Sequence, residues 1–220
     1  MLGMTEIIVI RHGQANSTAK TEADYDRLCP QGHQQAKWLG DTLRAQAYAP
    51  DRVISGTLRR HKETAQGMEY ADHLILDDRL NEMRYFDLAD GLTALDGTPL
   101  PTTENEFATH FPKVLRAWKS GALDDLHKPY DAFQSDAVAS LLDHGAQAER
   151  LLVVSSGGVI DALICHALGL DMQDMVGLLP HVLNTSMQRF LVKDGALRLK
   201  SYNATPHLDH SDRAHAKTEV

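Results

Sequence analysis

The chain has 220 residues, of which 43% are apolar and 24% are charged. This length and composition are typical of one globular domain with a sizeable core. The 30 acidic side chains outnumber the 22 basic ones, and the formal net charge is -8. General nucleic-acid binders and membrane-surface binders need basic patches, so we expect neither kind of partner. An anionic small ligand remains compatible with the composition, because a local pocket can be positive on an acidic protein.

The two cysteines, Cys29 and Cys165, lie far apart in the chain, which favours a reducing compartment. The first residues lack the basic start and long apolar run of a signal peptide. The longest apolar stretch, residues 151–170, is interrupted by serines, glycines, Asp161 and His166, so it indicates a strand, a turn and a helix rather than a membrane span. We therefore expect a cytoplasmic protein.

The first part of the chain alternates short apolar runs with helical patterns. A β-branched apolar run predicts the first, buried strand, and a polar loop follows it. The predicted elements, in order, are a strand at Glu6–Ile10, a loop at Asn16–Cys29, a helix from Pro30, a strand at Arg52–Ser55, a helix at Leu58–Tyr70 and a strand at His73–Leu76.

The middle of the chain is less regular. Leu80–Pro101 has no clear period and carries glycines and prolines, which predicts a long functional loop. Beyond it, the pattern predicts helices at Glu104–Lys119 and Tyr130–Ala146, a strand at Leu151–Val154, a helix at Val159–Leu168, and hairpin strands at Met187–Val192 and Leu197–Tyr202. The polar tail from Ala204 is either mobile or docked on the domain.

Strands that alternate with helices predict an α/β fold with a mostly parallel sheet and helices on both faces. We expect a single domain over residues 1–220. Within it we predict an inserted cap-like region at about 83–148 and a polar tail at about 204–220. Sheets of this kind place their sites at the carboxyl ends of the strands, where both Arg11-His12-Gly13 and Ser155 to Gly158 stand.

The first strand ends on Arg11-His12-Gly13. A histidine in this place can be a nucleophile, a general base, a metal ligand or a structural residue. Arg11 disfavours a cationic metal and favours an anionic ligand, and Gly13 lets the backbone turn close to that ligand. Taken alone, the tripeptide leaves a structural histidine as the default interpretation.

The stretch SGTLRRHKETA, residues 55–65, lies at a second junction of strand and helix and supplies Arg59 and Arg60. Arginines that converge from two strand ends can grip a phosphate group. The alternative is a solvated basic helix start. That alternative conflicts with the positive end of the helix dipole, which disfavours cations unless an anion lies there.

Glu82 lies in the stretch RLNEMRYFD, after the third strand. A carboxyl group at this point can protonate a leaving alkoxide. A surface glutamate is the alternative, and it would be preferred if Glu82 stood alone.

Four motifs, IRHGQ, SGTLRRHKETA, LNEM and VVSSGGVI, occur in this order. Together they resemble the histidine phosphatase superfamily, in its phosphoglycerate mutase-like branch. The resemblance extends over about residues 6–190, with a poor match in the middle insertion. When the second motif is anchored on Thr64-Ala65, Arg60 rather than Arg59 falls on the family's arginine.

The resemblance implies a three-layer α/β/α sandwich and a phosphohistidine mechanism. In that mechanism His12 attacks the phosphoryl group, while Arg11 and Arg60 hold its non-bridging oxygens. Glu82 is then the general acid for the leaving oxygen and the base for the attacking water. No metal and no cofactor is required, because the arginines supply the positive charge.

The chain departs from the family pattern at the end of the fourth strand. Members usually carry a Ser-His-Gly-Gly-like run there, and Ser156 stands in the place of its histidine. Loss of one such donor typically costs about 10²–10³ in rate. Helix-start N–H groups, including that of Gly157, can still bind phosphate oxygens. From the sequence we expect slower turnover, and a gain on changing Ser156→His.

Further substrate contacts are predicted at Gln14, Asn16, Arg84 and His181. Gln14-Ala15 stands where many members carry Glu-Thr, which weakens the case for glycolytic mutase activity. His181 is the candidate for a replacement imidazole, and a plain loop histidine is the alternative.

The sequence therefore predicts a metal-independent phosphomonoester hydrolase that acts through a phosphohistidine on His12 and is weakened by Ser156. Two alternatives stay open: a catalytically impaired phospho-ligand binding or regulatory protein, and a phosphoglycerate mutase-type phosphotransferase. The expected partner is a small phosphorylated substrate, and a homodimer is compatible with the sequence.

Overall fold

The computed structural model describes residues 4–16, 18–19, 21–123, 128–171 and 181–219. A six-stranded sheet with the order β3-β2-β4-β1-β5-β6 forms its centre. The strands are β1 at Thr5–Arg11, β2 at Arg52–Ser55, β3 at Ile75–Leu76, β4 at Arg150–Ser155, β5 at Met187–Lys193 and β6 at Ala196–Ala204.

The sheet is mostly parallel, as predicted. The strands β3, β2, β4 and β1 run parallel, while β5 pairs antiparallel with β1 and β6 antiparallel with β5. The register sets Arg11 opposite Ser155, and Ser55 opposite Val154. The carboxyl ends of β1, β2 and β4 therefore meet at one edge of the sheet.

Helices cover both faces of the sheet. They are α1 at Glu22–Tyr25, α2 at Pro30–Ala45, α3 at Arg59–Gly67, α4 at Tyr85–Asp96, α5 at Glu104–Lys119, α6 at Tyr130–Gly145 and α7 at Gly157–Leu168. Short 3-10 turns lie at Asp78–Leu80 and Ala214–Ala216. Among the described residues, no helix combines the length and the apolar character needed to cross a membrane.

Alternating side chains of β1 enter two separate cores, because successive residues of a strand face opposite sides of the sheet. Ile8 and Ile10 pack with α2 and α3. Ile7 and Val9 pack with residues of α4, α5, α6 and α7. This arrangement is the predicted α/β/α sandwich, and it explains why β1 is apolar throughout.

The predicted long loop at Leu80–Pro101 is wrong, because most of it forms α4. The apolar side of this helix is narrow and consists of Leu88, Ala89 and Leu92. Gly91 within the helix obscured its period, since glycine weakens a helical pattern. Gly97 ends the helix with a left-handed φ of 78°.

Other predicted boundaries shift by a few residues. The polar loop before Pro30 contains the short helix α1, which Thr21 caps through the backbone N–H of Asp24. The third strand is only Ile75–Leu76, and the first extends to Arg11. Arg11 is thus held by the sheet rather than by the loop that follows it.

The C-terminal tail is docked, which is one of the two arrangements that the sequence left open. His207, Leu208 and Ala216 are buried. The Gln35 amide of α2 donates a hydrogen bond of 2.7 Å to the Ala216 carbonyl. The tail therefore docks on the layer formed by α2.

Gly40 provides a test of how closely α2 and α3 pack. A Cβ at this position would lie 2.3 Å from the carbonyl oxygen of Met68, which follows α3. Helix propensity alone favours alanine over glycine by about 1 kcal/mol. The clash of the new Cβ with the Met68 carbonyl oxygen outweighs this gain in helix propensity. We therefore expect Gly40→Ala to lower the free energy of unfolding by about 1–3 kcal/mol.

Urea unfolding curves measure this change. The control is Gln34→Ala on the exposed side of the same helix, which should stay within about 0.5 kcal/mol of the wild type. An increase in stability for Gly40→Ala would contradict the close contact.

Candidate active site

His12 follows β1 and is held by backbone contacts on two sides. The backbone N–H of His12 donates to the Ser155 carbonyl at 2.9 Å, and the backbone carbonyl of His12 accepts from the Asn184 side-chain amide at 3.2 Å. The side chain is only 2% exposed. The imidazole therefore has a fixed position at the edge where β1 and β4 end.

The tautomer of His12 follows from one hydrogen bond. Its Nδ1 lies 2.7 Å from the Gly13 carbonyl oxygen, which can only accept, so Nδ1 carries the proton. In the neutral ring, Nε2 then keeps its lone pair. Gly13 is needed for this turn, because a Cβ there would lie 2.5 Å from the Gly32 carbonyl oxygen.

Burial lowers the pKa of His12 well below its ordinary value. The positive charges of Arg60 and Arg11 lower this pKa further, and His61 adds a smaller effect in the same direction. A neutral imidazole has a free lone pair, which a nucleophile requires. The surroundings of His12 therefore keep the ring neutral at neutral and mildly acidic pH.

The two neighbouring arginines of α3 have different surroundings. Arg60 is 2% exposed, and its guanidinium lies over the Tyr25 ring at 5.0 Å and contacts the Asp26 carboxylate at 3.2 Å. The Arg59 side chain is 64% exposed and pairs with Glu63. Arg60 is thus the one that faces the same cavity as Arg11.

Asp26 also compensates the positive charge of the arginines at the start of α3. Its carboxylate accepts hydrogen bonds from the backbone N–H groups of Arg59 and Arg60 at 2.9 and 3.1 Å. An anion from the α1 segment therefore occupies the positive end of the helix. This leaves the Arg60 side chain pointing into the cavity.

Arg11 is held against the start of α7. Its Nη1 donates to the Val182 carbonyl oxygen. Its Nε and Cζ atoms would lie 3.8 and 3.9 Å from a Cβ at Gly157. The start of α7 therefore lies within van der Waals range of the Arg11 guanidinium.

Glu82 is positioned by the segment that links β3 to α4. The Leu80 carbonyl accepts from the Ser155 hydroxyl at 2.8 Å, and the Asn81 side chain accepts from the Thr57 N–H at 2.7 Å. The Glu82 carboxylate accepts from the Gly158 N–H at 3.0 Å. Gly158 has no side chain in the way, since a Cβ there would lie 2.4 Å from Glu82 Oε1.

Asp161 adds a second buried carboxyl group to this region. Burial raises its pKa well above the ordinary value, and the charge of Glu82 raises it further, while Arg11 opposes this. Asp161 and Glu82 line the same cavity. Asp161 can therefore keep its proton at a pH where ordinary carboxyl groups are ionised.

Ser156 lies at the N-cap of α7 and is fully buried. Its Oγ lies 2.7 Å from Nε2 of His61, which is also fully buried. The rings of His61 and His12 are 5.7 Å apart between centroids. A histidine placed at residue 156 would therefore meet a ring that is already there, which opposes the gain expected from Ser156→His.

The cavity has a volume of about 720 Å³ and brings together several of the predicted site residues. Arg11, Arg60, Glu82 and Gly157 line it. His12 and Ser156 lie buried beside it.

The four predicted substrate contacts do not line this cavity. The Asn16 side chain bonds within its own loop, to Asp24 and Thr18. Arg84 is exposed and pairs with Asp87. His181 is exposed and pairs with Glu219 at 3.1 Å.

Gln14, the fourth of these residues, is tied to α2 through its backbone. Its N–H donates to the Gln35 side chain at 2.8 Å, and its carbonyl accepts from the Cys29 N–H at 2.9 Å. The Gln14 backbone thus fixes the turn after His12.

Comparison with known families agrees with this arrangement. The model of the histidine phosphatase superfamily (branch 1) matches residues 7–205. The chain belongs to this superfamily. The four ordered motifs therefore identified the family correctly.

Several solved structures share the fold of this chain at low sequence identity. Phosphoglycerate mutase from Bacillus anthracis strain Sterne is 18% identical, has a TM-score of 0.67, and aligns over 93% of this chain and 95% of its own. A phosphoserine phosphatase mutant from Entamoeba histolytica, bound to phosphoserine, is 22% identical, with a TM-score of 0.64 and coverage of 93% and 99%. YhfR from Bacillus stearothermophilus is 20% identical, with a TM-score of 0.68 and coverage of 92% and 98%. No curated protein matches the sequence.

Three residues of this histidine phosphatase site were missed in the sequence: Asp26, His61 and Asp161. His61 stands inside a quoted motif, next to Arg60, and its direction depends on the start of the helix. Asp161 lies one turn into α7, where an acid in an apolar run is a usable signal. Asp26 gave no local signal, because its partners are 33 and 34 residues away.

The charge environment of His12 can be measured directly. In the wild type we expect the imidazole to stay neutral well below pH 6.5, so its NMR signals should not titrate near that value. Arg60→Gln removes a positive charge that lowers the pKa of His12. The titration should therefore move to higher pH.

Arg59→Gln is the matched control, because it removes an exposed neighbouring charge and should leave the pKa of His12 unchanged.

The lowered pKa values of the buried histidines also affect stability. The unfolded chain binds more protons on His12 and His61 than the folded chain, so the free energy of unfolding should fall as the pH drops below 6.5. A wild-type His12 that titrates near pH 6.5 would contradict this account.

Proposed function

We propose that this chain is a metal-independent phosphomonoester hydrolase that works through a phosphohistidine on His12. The observation that supports this most directly is the hydrogen bond from Nδ1 to the Gly13 carbonyl oxygen. It leaves the Nε2 lone pair for attack on phosphorus. Arg11 and Arg60, which face the adjoining cavity, supply the positive charge that such a reaction needs.

The first step forms the bond between Nε2 and phosphorus and breaks the bond between phosphorus and the ester oxygen. Arg11 and Arg60 bind the non-bridging oxygens, where the negative charge of the transition state is spread. Glu82, in its protonated form, gives its proton to the leaving alkoxide. Asp161 lines the same cavity, and burial raises its own pKa well above the ordinary value.

The second step hydrolyses the phosphohistidine. The Glu82 carboxylate takes a proton from water, whose oxygen attacks phosphorus as the bond to Nε2 breaks. Inorganic phosphate leaves, His12 returns to its neutral form, and Glu82 is protonated again. Atoms and charges balance with water as the only co-reactant.

The test is p-nitrophenyl phosphate hydrolysis from acidic to neutral pH with a chelator present. His12→Ala should abolish hydrolysis, because it removes the nucleophile. Glu82→Gln should lower kcat by about 10²–10⁴. The control His73→Ala changes an exposed histidine away from the cavity and should retain wild-type activity.

Trapping the phosphorylated intermediate identifies the nucleophile. Rapid quenching with a labelled ester should give an acid-labile, base-stable label that is absent in His12→Ala. An acid-stable label would indicate a phosphoserine and would overturn the assignment of His12. Hydrolysis that survives in His12→Ala would do the same.

Ser156 favours one alternative, a phospho-ligand binding protein without turnover. That protein would bind phosphate esters through Arg11 and Arg60 and form no phosphohistidine. Calorimetric titration with a phosphate ester, together with a failure to trap label, would support it. Movement of the phosphoryl group between two positions of one ester, without release of phosphate, would instead identify a mutase.

A further inference from the structure

We propose that Ser156 and His61 act as one unit that donates a hydrogen bond to the transferring phosphoryl group. This inference rests on the proposed function. Ser156 is the group that would touch the phosphoryl oxygen, and His61 is a positioning residue that acts through the serine hydroxyl. The unit takes the place of the imidazole that the sequence lacks at residue 156.

The geometry brings the two side chains together from different elements. His61 comes from the first turn of α3, and Ser156 from the N-cap of α7. Their polar atoms, Nε2 and Oγ, are 2.7 Å apart. The His61 ring also lies beside the His12 ring, with an angle of 34° between their planes. An imidazole therefore does stand next to the nucleophile, although it comes from another part of the chain.

The surroundings of the two ring nitrogens of His61 show that Nε2 is the donor in this hydrogen bond. Nδ1 of His61 has no partner among the described residues. It also lies against the backbone at Gly56, where a Cβ would come within 2.3 Å of it. A proton on Nδ1 would be buried and unpaired, whereas a proton on Nε2 is satisfied by Ser156 Oγ. Burial also lowers the pKa of His61, with a contribution from Arg60, so the ring carries only one proton.

The serine hydroxyl is therefore an acceptor from His61 and keeps its own proton available. The Ser156 side chain does not cap α7. The next residue, Gly157, lines the cavity with Arg11 and Arg60. A phosphoryl oxygen bound there would be the acceptor for the hydroxyl proton. Donation from His61 to Oγ strengthens that bond, because hydrogen bonds in a chain polarise one another.

A double-mutant cycle tests the unit. Ser156→Ala removes the hydroxyl, and His61→Leu keeps a similar volume but removes the N–H donor. Each should lower kcat by about 10² with a smaller change in KM, because the bond acts on the transition state. The double variant should be about as slow as either single variant, since residues that act as a unit are not additive.

His61→Gln is the conservative variant that separates positioning from packing. Its side-chain amide can replace the Nε2–H donor, so we expect kcat within about tenfold of the wild type. Vanadate, which mimics the transferring phosphoryl group, should bind more weakly in His61→Leu in proportion to the loss of kcat. Thermal unfolding of each variant verifies that it is folded.

Additive losses in the double variant would overturn the unit, and so would wild-type kcat in His61→Leu. His61→Gln as slow as His61→Leu, with both folded, would also overturn it. In each of these cases the wild type is an active phosphatase, so the proposed function stands while the unit fails. A wild type that hydrolyses no ester overturns both.

A separate observation concerns the part of the cavity away from the two arginines, where one wall is aromatic. Tyr85, Phe86, Phe107 and Phe111 form its wall. Ring centroids lie 5.2 Å apart for Tyr85 and Phe107, and 5.4 Å apart for the stacked pair Phe107 and Phe111. These rings come from α4 and α5, and they offer an apolar surface to a substrate body.

The charges along this wall are unfavourable for a second anionic group. Arg11 and Arg60 are the cations among the described lining residues, and both lie at the phosphate end. The other ionisable side chains that line the cavity are acids, and none of them supplies a positive charge for a second anionic group: Glu22, Glu82, Asp161 and Glu219. We infer that the substrate, under the proposed function, is a phosphate monoester of an aromatic or other apolar alcohol without a second acidic group.

Comparing kcat/KM for 1-naphthyl phosphate and 3-phosphoglycerate tests this class. We expect the naphthyl ester to be preferred by tenfold or more, and Phe107→Ala to reduce that preference by ~10-fold, since an aromatic contact is worth about one such factor. The control Leu168→Ala removes an exposed apolar side chain outside the cavity. Preference for 3-phosphoglycerate would overturn the substrate class and leave the phosphatase intact. Loss of activity on every ester would overturn the phosphatase itself.

Discussion

The parallel pairing of β1 with β4 is the constraint on which the site depends. Its register sets Arg11 opposite Ser155, and the His12 N–H continues the pairing to the Ser155 carbonyl. His12 and the start of α7 therefore share one ladder of hydrogen bonds. A slip of one residue would turn every side chain of β1 to the other core, so the two packed cores also hold this register.

Burial of positive charge follows from this arrangement. Arg60 and Arg11 are both buried. Each guanidinium contacts groups that partly compensate its positive charge. Arg60 has the Asp26 carboxylate and the Tyr25 ring, and Arg11 has a backbone carbonyl oxygen. Neither arrangement neutralises the pair completely. Burial first, and then the positive charges of Arg60 and Arg11, lower the pKa of His12, and the same charges favour an anion in the cavity.

The fold was largely predictable because its strands and main helices have strong local patterns. The elements that were missed or left undecided have weak ones: α4 carries a glycine in its middle, and the docked tail is mostly polar. At the site, the motifs named His12, both arginines, Glu82 and Ser156. They did not indicate His61, because the contact with Ser156 joins residues 95 positions apart and depends on the entry angle of α3. The motif that contains Ser156 lacks a histidine, and the His61 ring, which comes from another motif, lies beside Ser156.

The docked tail has a consequence for how the protein folds. The Thr218 hydroxyl donates to the Asn184 side chain at 2.9 Å, and the Asn184 amide in turn holds the His12 carbonyl. The bond between Gln35 and Ala216 spans 181 residues. Contacts of such separation form late, because closing long loops costs entropy before any contact compensates for it. The pairing of β1 with β5 has a similar separation along the chain. During refolding, the helices can therefore form before the frame around His12 is complete, and helical content should recover earlier than the contacts of the tail.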